Sequence, residues 1–386
     1  MQDVLGKPLA IPCRRSDSLS SPSGAGFVAN DQMIVFDAHL DLAWNALNWN
    51  RDLRLSVAEI RRSEASMKEE HRGANTVCFP ELRRGEVAIC LATILARTTP
   101  LQETLLDYRS QEIASAMGHG QRAYYRIMEE EGELRSLRNG SDIEKHLAVW
   151  RSGSRKAIGY ILSMEGADPI LSPGDAARWW DEGLRVVGIS HFGEGVYAHG
   201  TSSPGGIKAK GFELLKAFEE LGIILDTTHL TDRGFWQALE VFPGPVLASH
   251  NNCRALVPGD RQYSDEQLRA LIQRGAVIGS ALDSWMMLPG YKPGKTDNTQ
   301  VKLQMIVAHI DHICQLAGNS THAAIGSDLD GGFGREQSPA DLDTIADLQR
   351  LPDMLKQKGF SETDIEGVTH GNWLRFFRKA WSKRPD

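Results

Sequence analysis

The feature that most constrains the fold is a short apolar run that recurs along the chain, each time followed by polar residues and an amphipathic stretch. Eight such runs occur: "MIVFDAH", "GEVAICLATILA", "KAIGYILSMEG", "LRVVGISH", "GIILDTTH", "GPVLASH", "GAVIGSAL" and "HAAIGSD". Runs of this kind are typical of strands buried on both faces of a parallel sheet. Parallel strands need crossover connections, which are usually helices. The amphipathic segments predicted as crossovers include residues 205–221, 231–242, 264–274 and 297–318.

Eight strands that alternate with helices over about 300 residues match the pattern of a (β/α)8 barrel, whereas an open doubly wound sheet usually has fewer strands. We therefore predict an α/β fold, a TIM barrel formed by a single domain over residues 31–386. Two charged stretches, around 55–70 and 102–132, are predicted to be helical insertions outside the barrel or over its mouth. Residues 1–30 are rich in Ser, Pro and Gly and are predicted to form a disordered tail.

Charge and cysteine content narrow the class of protein. The formal net charge is −7, and the chain has no basic stripe of the kind that nucleic-acid binding requires. The five cysteines contain no Cys-x-x-Cys pair, so neither a disulfide framework nor a thiolate zinc site is predicted. The longest apolar stretch, residues 87–96, is far shorter than the roughly 20 residues of a membrane-spanning helix. We expect a protein of the reducing cytoplasm with no nucleic-acid or membrane partner.

Nearly every predicted strand ends in a residue type that binds metals. These residues are His39 and Asp41 after the first run, then Glu165, His191, His229 and His250 after the third to sixth, and Asp328 after the eighth. In a barrel, the carboxyl ends of all strands face one mouth, where the active site lies. Only 12 of 386 residues are His, yet four of the eight strands end near one. A shared site therefore explains the set better than separate structural roles.

The donor types in this set indicate which ion it would bind. Imidazole nitrogens and carboxylate oxygens without Cys suit Zn²⁺ or another borderline divalent ion, and fit Mg²⁺ or Ca²⁺ poorly. The set is too large for one tetrahedral ion. Three His and two carboxylates more naturally hold two ions about 3.5–4 Å apart, with one carboxylate bridging them.

The motifs together resemble those of the membrane (renal) dipeptidases, zinc-dependent amidohydrolase-like barrels that include soluble bacterial members. The resemblance runs from about residue 33 to residue 377. It rests on these motifs in the family's order: "DAHLD", "SMEGAD", "GISHF", "LDTTHLTDRGFWQALEV", "PVLASHNNCRAL", "DRQYSDEQL", "HIDHICQLAG", "AIGSDLDG" and "THGNWLRFF". The known mammalian members carry a signal peptide and a lipid-anchor signal, and this sequence shows neither, so no membrane attachment is expected.

The resemblance assigns the metal ligands residue by residue. It implies that His39 and Asp41 bind one zinc ion and that His229 and His250 bind a second. It also implies that Glu165 bridges the two ions. A glutamate at this position argues against the relatives that bridge their metals with a modified lysine. The predicted cofactor is therefore two Zn²⁺ ions per chain.

The resemblance also assigns substrate contacts. It implies that His191 contacts the substrate and stabilises the oxyanion, so this residue is not predicted as a metal ligand. Arg261 in "DRQYSD" is implied to bind the substrate carboxylate, and Asp328 to transfer protons. The Gly-rich loop 192–206 departs from the better known members, with His199 at an unexpected position. Since loops at the mouth set specificity, substrate preference stays open.

These assignments imply an enzyme that hydrolyses the peptide bond of dipeptides with a metal-bridging hydroxide. The expected partner is a small dipeptide, and the sequence leaves open whether a C-terminal D-residue is accepted and whether the chain forms a homo-oligomer. One alternative is another binuclear hydrolase of the same barrel, acting on N-acyl amino acids, lactones or amino groups. A second alternative is a binding protein that kept the barrel but lost turnover.

Overall fold

The computed structural model describes residues 32–69, 71–98, 107–153 and 157–382. The predicted N-terminal tail, residues 1–30, lies outside the described residues. The strands within these ranges are β1 (Val35–Leu40), β2 (Val87–Ile94), β3 (Leu134–Ser136), β4 (Ile158–Glu165), β5 (Leu184–Gly188), β6 (Ile224–Asp226), β7 (Val246–Leu247), β8 (Ile278–Ser280) and β9 (Ala323–Ile325).

The strands form one parallel sheet that closes on itself. The hydrogen-bonded order is β7-β6-β5-β4-β2-β1-β9-β8. Its two ends meet where Ala248, just after β7, pairs in parallel with Ile278 of β8. The eight strands on this path are the eight predicted runs, so the predicted (β/α)8 barrel is confirmed. One further strand, β3, was not predicted; it has three residues and pairs with the start of β4.

Helices surround the barrel. The α-helices are α1 (Leu42–Asn48), α2 (Val57–Glu64), α3 (Phe79–Arg84), α4 (Gln111–Glu130), α5 (Gly140–Arg151), α6 (Ala176–Asp181), α7 (Ala209–Leu221), α8 (Asp232–Val241), α9 (Asp265–Gln273), α10 (Ser284–Met287), α11 (Ile306–Ala317), α12 (Leu351–Lys358), α13 (Glu362–Glu366) and α14 (Asn372–Trp381). Three helices, α1 to α3, lie between β1 and β2, and α4 and α5 lie between β2 and β4. Of the predicted insertions around 55–70 and 102–132, α2 and α4 form the helical parts, and residues 70 and 102–106 lie outside the described residues.

Three predicted crossovers are α7, α8 and α9, whereas the fourth was predicted too long. Thr231 and Ser264 cap α8 and α9, because each side chain accepts a hydrogen bond from the backbone N–H three residues later. In the fourth segment, residues 297–318, the helix α11 begins only at Ile306. The preceding part forms two 3₁₀ turns separated by Val301, whose backbone is extended. Val301 is fully buried, and an extended backbone there prevents one continuous helix.

Four of the five cysteines lie within the described residues. Cys78, Cys90, Cys253 and Cys314 are free thiols, so no disulfide joins the described cysteines. None of the helices in the described ranges has both the length and the apolar composition needed to cross a bilayer.

Candidate metal centre and active site

The predicted strand-end residues meet at the carboxyl-terminal mouth of the barrel, and four of the seven share one offset from their strands. His39 lies within β1 and Asp41 directly follows it, while Glu165 is the last residue of β4. The other four lie three residues after the end of β5, β6, β7 and β9: His191, His229, His250 and Asp328. The strands β5, β6, β7 and β9 therefore deliver these four side chains with the same spacing from the strand end.

Backbone geometry holds some of these residues in place. His229 and Asp328 have φ values of 67° and 59°, in the left-handed region that residues other than Gly rarely adopt. Such conformations concentrate at functional sites, where the surrounding structure maintains them. Behind Asp328, a Cβ on Gly331 would lie 1.9 Å from Asp328 Oδ1, so only Gly fits at this position.

Two buried aspartates join neighbouring strand ends below the site. Asp37 Oδ1 accepts hydrogen bonds from the backbone N–H groups of His39 and Ser327, at 3.1 and 2.8 Å. Asp226 Oδ1 joins the ends of β6 and β7 in the same way, because it accepts hydrogen bonds from the backbone N–H groups of residues 228 and 249. These contacts fix the spacing between adjacent strand ends, and hence the positions of the side chains that come after them.

Glu165 lies at the centre of the site, with one carboxylate oxygen facing each of two groups. Its Oε1 is 3.1 Å from Nε2 of both His229 and His250. Its Oε2 is 3.6 Å from Nε2 of His39, which is itself 3.4 Å from Asp41 Oδ2. The ligand atoms of Glu165, His229 and His250 lie within 4.8 Å of one another, and so do those of His39, Asp41 and Glu165.

The arrangement fits divalent cations. In a tetrahedral zinc site with bonds of about 2.0–2.2 Å, ligand atoms lie roughly 3.3–3.5 Å apart, close to the separations around Glu165. Within the described residues, His39 Nε2, Asp41 Oδ1 and Glu165 Oε1 are buried and have no hydrogen-bond partner. Buried polar atoms without a partner are rare in proteins. Cations bound at the two groups, one beside His39 and Asp41 and one beside Glu165 Oε1, would satisfy all three.

His229 and His250 direct Nε2, the nitrogen that would bind a metal, towards Glu165. Nδ1 of His229 lies 3.0 Å from Thr201 Oγ1, and Nδ1 of His250 lies 2.8 Å from Ser249 Oγ. When Nδ1–H donates to these hydroxyls, the Nε2 lone pair of each ring faces Glu165. Burial, followed by the charge of nearby cations, lowers the pKa of both rings well below the usual value. Both imidazoles are therefore neutral, as metal ligation requires.

Negative charge accumulates around His39. Burial alone would lower the pKa of His39, but the Glu165 and Asp41 carboxylates raise it to about 10. Burial raises the pKa of Asp328 well above the usual value, and Asp328 Oδ1 lies 3.7 Å from His39 Nε2. His39, His250 and Asp328 form a third group of atoms within 4.8 Å. The geometry alone thus allows Asp328 to bind a cation as well as to transfer protons.

His191 is held as a hydrogen-bond donor at the edge of this centre. Its Nδ1 lies 3.0 Å from Nη1 of Arg97, and because guanidinium only donates, Nδ1 is the acceptor. Burial and the positive charges of Arg97 and Arg261 lower the pKa of His191 well below the usual value, so the ring is neutral. Its proton is then on Nε2, which lies 3.6 Å from Glu165 Oε2.

Arg261 is a buried cation in the wall of the site. Arg261 is only 3% exposed. Its guanidinium donates to Asn251 Oδ1 at 3.1 Å and to the His250 carbonyl at 2.9 Å. No carboxylate of the described chain lies within 4.0 Å of its guanidinium. A buried charge without an ionic partner is costly, so this position favours an anionic group of a ligand.

The mouth contains a cavity of about 580 Å³ whose lining includes two polar residues that the sequence analysis missed. Arg97 and Asp283 lie three residues after β2 and β8, the same offset as His191, His229, His250 and Asp328. This offset was the signal that could have identified them. Asp283 accepts hydrogen bonds from Gln337 Nε2 and from the Trp285 indole, and burial raises its pKa to about 7.

The loop 192–206 forms part of the wall through Phe192, Gly193, Thr201 and Ser202. A Cβ on Gly200 would lie 1.7 Å from the His191 carbonyl oxygen, so Gly at this position lets the loop pack against His191. His199 does not line the cavity; its ring is 4.0 Å from Glu194. The loop therefore shapes the site through other residues than His199.

The sequence is similar to those of several known proteins. The chain is 29% identical to an uncharacterized protein in the pqqA 5′ region of Klebsiella pneumoniae, over 65% of this chain and 91% of that protein. It is 24% identical to dipeptidase tcpJ of Claviceps purpurea, over 61% of this chain but only 53% of the relative, so the match spans about half of that relative's length.

A solved structure shares the barrel. A metallo peptidase from Rhodobacter sphaeroides, liganded with a phosphinate mimic of the dipeptide L-Ala-D-Ala, superposes with a TM-score of 0.72 at 22% identity. The match covers 91% of this chain and 100% of that chain. The sequence model of the family described as "Membrane dipeptidase (Peptidase family M19)" matches residues 28–384 of this chain. This match confirms the family predicted from the motifs. The chain belongs to Peptidase family M19, the membrane dipeptidase family.

Proposed function

We propose that the protein is a dipeptidase that binds two zinc ions, with Glu165 between them. The observation that carries this proposal is the position of the Glu165 carboxylate, whose Oε1 faces His229 and His250 while Oε2 faces His39. Membership of a dipeptidase family supports the reaction. The free thiols of the described cysteines support a reducing compartment such as the cytoplasm.

The proposed metal ligands are His39 and Asp41 for one ion, His229 and His250 for the other, and Glu165 for both. The ions would supply an activated water molecule at neutral pH and polarise the peptide carbonyl. The neutral state of His229 and His250 supports this assignment, because a neutral ring offers its lone pair to a metal. At His39, where the Glu165 and Asp41 carboxylates favour a proton, the cation would take the place of that proton.

The proposed substrate contacts rest on the charges in the wall. Arg261 would pair with the C-terminal carboxylate of the substrate, since it is a buried cation with no ionic partner in the described chain. Pairing of this kind, in a cavity of about 580 Å³, favours short substrates. The relative from Rhodobacter sphaeroides holds a mimic of L-Ala-D-Ala, which supports including a C-terminal D-residue.

Two side chains would handle the charges that develop during hydrolysis. His191 would donate its Nε2–H to the carbonyl oxygen as negative charge builds up there. Asp328 would accept a proton from the attacking water and deliver it to the departing amine. Burial raises the pKa of Asp328, so its carboxylate binds a proton more readily than an exposed one would. This supports the proposed role in proton transfer.

The proposal is tested by metal analysis and by turnover of the zinc-loaded protein. We expect about two zinc ions per chain, because five ligands exceed the needs of one tetrahedral ion. Dipeptides of both configurations should be hydrolysed faster than N-acetyl amino acids, which also carry a carboxylate for Arg261. Faster turnover of the N-acetyl amino acids would favour the alternative of an N-acyl amino acid hydrolase, and no turnover of either class would favour a binding protein.

Arg261→Ala should specifically impair substrates that carry a free carboxylate. Losing a desolvated charge pair costs about 2–5 kcal/mol, so we expect kcat/KM for free dipeptides to fall by roughly 30-fold to several thousand-fold. The same dipeptides with an amidated C-terminus have no carboxylate to lose and should be affected far less. Steady-state kinetics on matched free and amidated substrates measure the difference.

The control for this variant is its zinc content. Arg261 also donates to the carbonyl of His250, so its loss could disturb a proposed ligand. We expect zinc to be retained in full. Equal losses on free and amidated substrates, or loss of zinc, would show that Arg261 supports His250 and does not bind the carboxylate.

Arg97→Met should lower turnover without loss of zinc. Arg97 fixes the proton of His191 on Nε2, and without this donor the ring can adopt the other tautomer or turn away. Misplacing one oxyanion donor should lower kcat on the order of 10-fold to 10²-fold with little change in KM. Arg97→Lys retains a cationic donor and should lose less activity. A change confined to KM would contradict this role.

A further inference from the structure

A second cavity, of about 800 Å³, lies at the opposite end of the barrel from the metal centre. Its lining includes the residues that lead into β6, β7 and β8, at positions 222–223, 244–245 and 274–275. These positions are at the amino-terminal ends of the strands, whereas the proposed catalytic residues lie at the carboxyl-terminal ends. The proposed dipeptidase activity therefore does not explain what this cavity is for.

Four cationic side chains line this cavity: Arg138, Arg185, Arg274 and Lys379. None of them forms an ion pair within 4.0 Å with a carboxylate of the described chain. Two acidic residues, Asp142 and Glu219, also contribute to the lining. The Asp142 carboxylate already accepts the backbone N–H of Arg138. The cavity therefore carries an excess of positive charge.

Arg185 is the most deeply buried of these cations. It is 8% exposed and donates to the backbone carbonyls of Arg138, Trp180 and Leu184. Its guanidinium lies 3.7 Å from the centroid of the Trp180 ring. Burial, followed by repulsion from Arg138, lowers the pKa of Arg185 to about 10, and the carboxylates of Asp142 and Asp181 offset this only in part. Carbonyl groups orient this guanidinium but do not neutralise its charge.

Two of the three remaining cations, Arg274 and Lys379, contact the loop that precedes β7 and the turn after α9. Arg274 donates to the carbonyls of Phe242 and Gly244, at 2.7 and 2.8 Å. Lys379 Nζ lies next to Gly275, 3.6 Å from the place where a Cβ would be. These carbonyls too are neutral partners. A ligand with a negative charge would compensate the buried Arg185, with Arg274 and Lys379 adding to the positive potential.

The rest of the lining is apolar and aromatic, with Phe218, Phe242, Phe376 and Trp381 among its side chains. A fully hydrated inorganic ion would leave these surfaces in contact with water. A molecule with an apolar, planar body would cover them, and aromatic surfaces favour such bodies.

We propose that this cavity binds a small organic anion with a flat apolar body and a carboxylate, sulfonate or phosphate group. The anionic group contacts the cationic side chains, and the body packs against the aromatic ones. This site is separate from the metal centre and independent of the proposed dipeptidase activity.

The test uses 8-anilinonaphthalene-1-sulfonate, a planar aromatic anion, titrated by fluorescence into the zinc-loaded protein. Its neutral counterpart N-phenyl-1-naphthylamine has the same apolar body without the charge. We expect the anion to bind about tenfold more tightly or better, since only the anion can accept charge-assisted hydrogen bonds from the cationic side chains. Equal affinities would overturn the proposal, because the cavity would then be only apolar.

Variants that remove a positive charge from the lining test whether the probe binds in this cavity. Arg138→Gln combined with Lys379→Gln should weaken binding of the anion about tenfold and leave the neutral probe unaffected. Lys216→Gln, a control at an exposed lysine of α7 outside the cavity lining, should change neither. Lys379 is exposed, so the single variant Lys379→Gln serves if the double variant does not fold. Unchanged affinity in these variants would mean that the probe binds elsewhere, and the proposal fails.

Displacement distinguishes the class of anion. Benzoate, phenyl phosphate and inorganic phosphate are each added to the complex with the fluorescent anion. Displacement by benzoate indicates a carboxylate ligand, and displacement by phenyl phosphate indicates a phosphate ester. If inorganic phosphate displaces the probe as well as the two aromatic anions do, the apolar body contributes nothing and that part of the proposal is wrong.

Discussion

Glu165→Gln is expected to remove both metal ions together and to lower kcat/KM for dipeptides by roughly 10³-fold or more, because metal ions contribute several kcal/mol to stabilisation of the transition state. The amide has nearly the same shape as the carboxylate, so packing is preserved. It lacks the negative charge that faces His39 through Oε2 and the pair His229 and His250 through Oε1. Elemental analysis of the purified variant after zinc reconstitution measures the loss.

A matched control separates this effect from a general loss of charge. Glu362 is an exposed glutamate paired with Lys356 on the surface, and Glu362→Gln should leave zinc and turnover unchanged. If Glu165→Gln retains one ion at full occupancy, Glu165 does not bridge. If it retains both, the assignment of Glu165 as a ligand is wrong.

Asp328→Asn is expected to reduce turnover by roughly 10²-fold to 10⁴-fold, the range typical of losing a general acid or base. Asn adopts the left-handed backbone conformation more readily than most residues, so φ of 59° at this position should not disturb the fold. Because Asp328 also lies within 4.8 Å of His39 and His250, zinc content decides between two roles. Retention of both ions with the loss of turnover supports proton transfer, whereas loss of zinc would make Asp328 a ligand.

The neighbouring Asp330 provides a control in the same turn. Its carboxylate accepts hydrogen bonds from the backbone N–H groups of Thr76 and Val77, and it has a similar φ of 63°. Asp330→Asn should therefore lower the free energy of unfolding by about 1–3 kcal/mol, the cost of leaving buried donors unpaired. Turnover per folded molecule should stay near that of the unsubstituted protein.

Much of the barrel could be predicted because its strands are buried on both faces. Apolar runs such as "GEVAICLATILA" have no polar interruption beyond single residues, and β2 and β4 are buried at every position. The strand β3, "LRS", has only one apolar residue and pairs with β4 through its backbone, so no side-chain pattern indicated it. The start of α11 was predicted wrongly because amphipathic spacing does not exclude the extended backbone at Val301.

The site residues could be predicted where their chemistry is distinctive. A histidine after an apolar run indicates a functional role because histidine is uncommon, whereas arginine and aspartate at strand ends are ordinary in loops. Arg97 and Asp283 were missed for this reason, although they share the three-residue offset of His191 and His250. Their importance is visible only through their contacts, such as that of Arg97 with the ring of His191, 94 residues away in the chain.

Local sequence patterns determine which side chains stand at the mouth, since they set where each strand ends and which residues come next. The closed barrel decides which of these side chains face one another. Closure brings β1, β4, β6 and β7 around a common axis, so that the carboxylate of Glu165 meets His39 on one side and His229 on the other. Such distances depend on strand order and register across the whole sheet, so they cannot be derived from the spacing of residues along the chain.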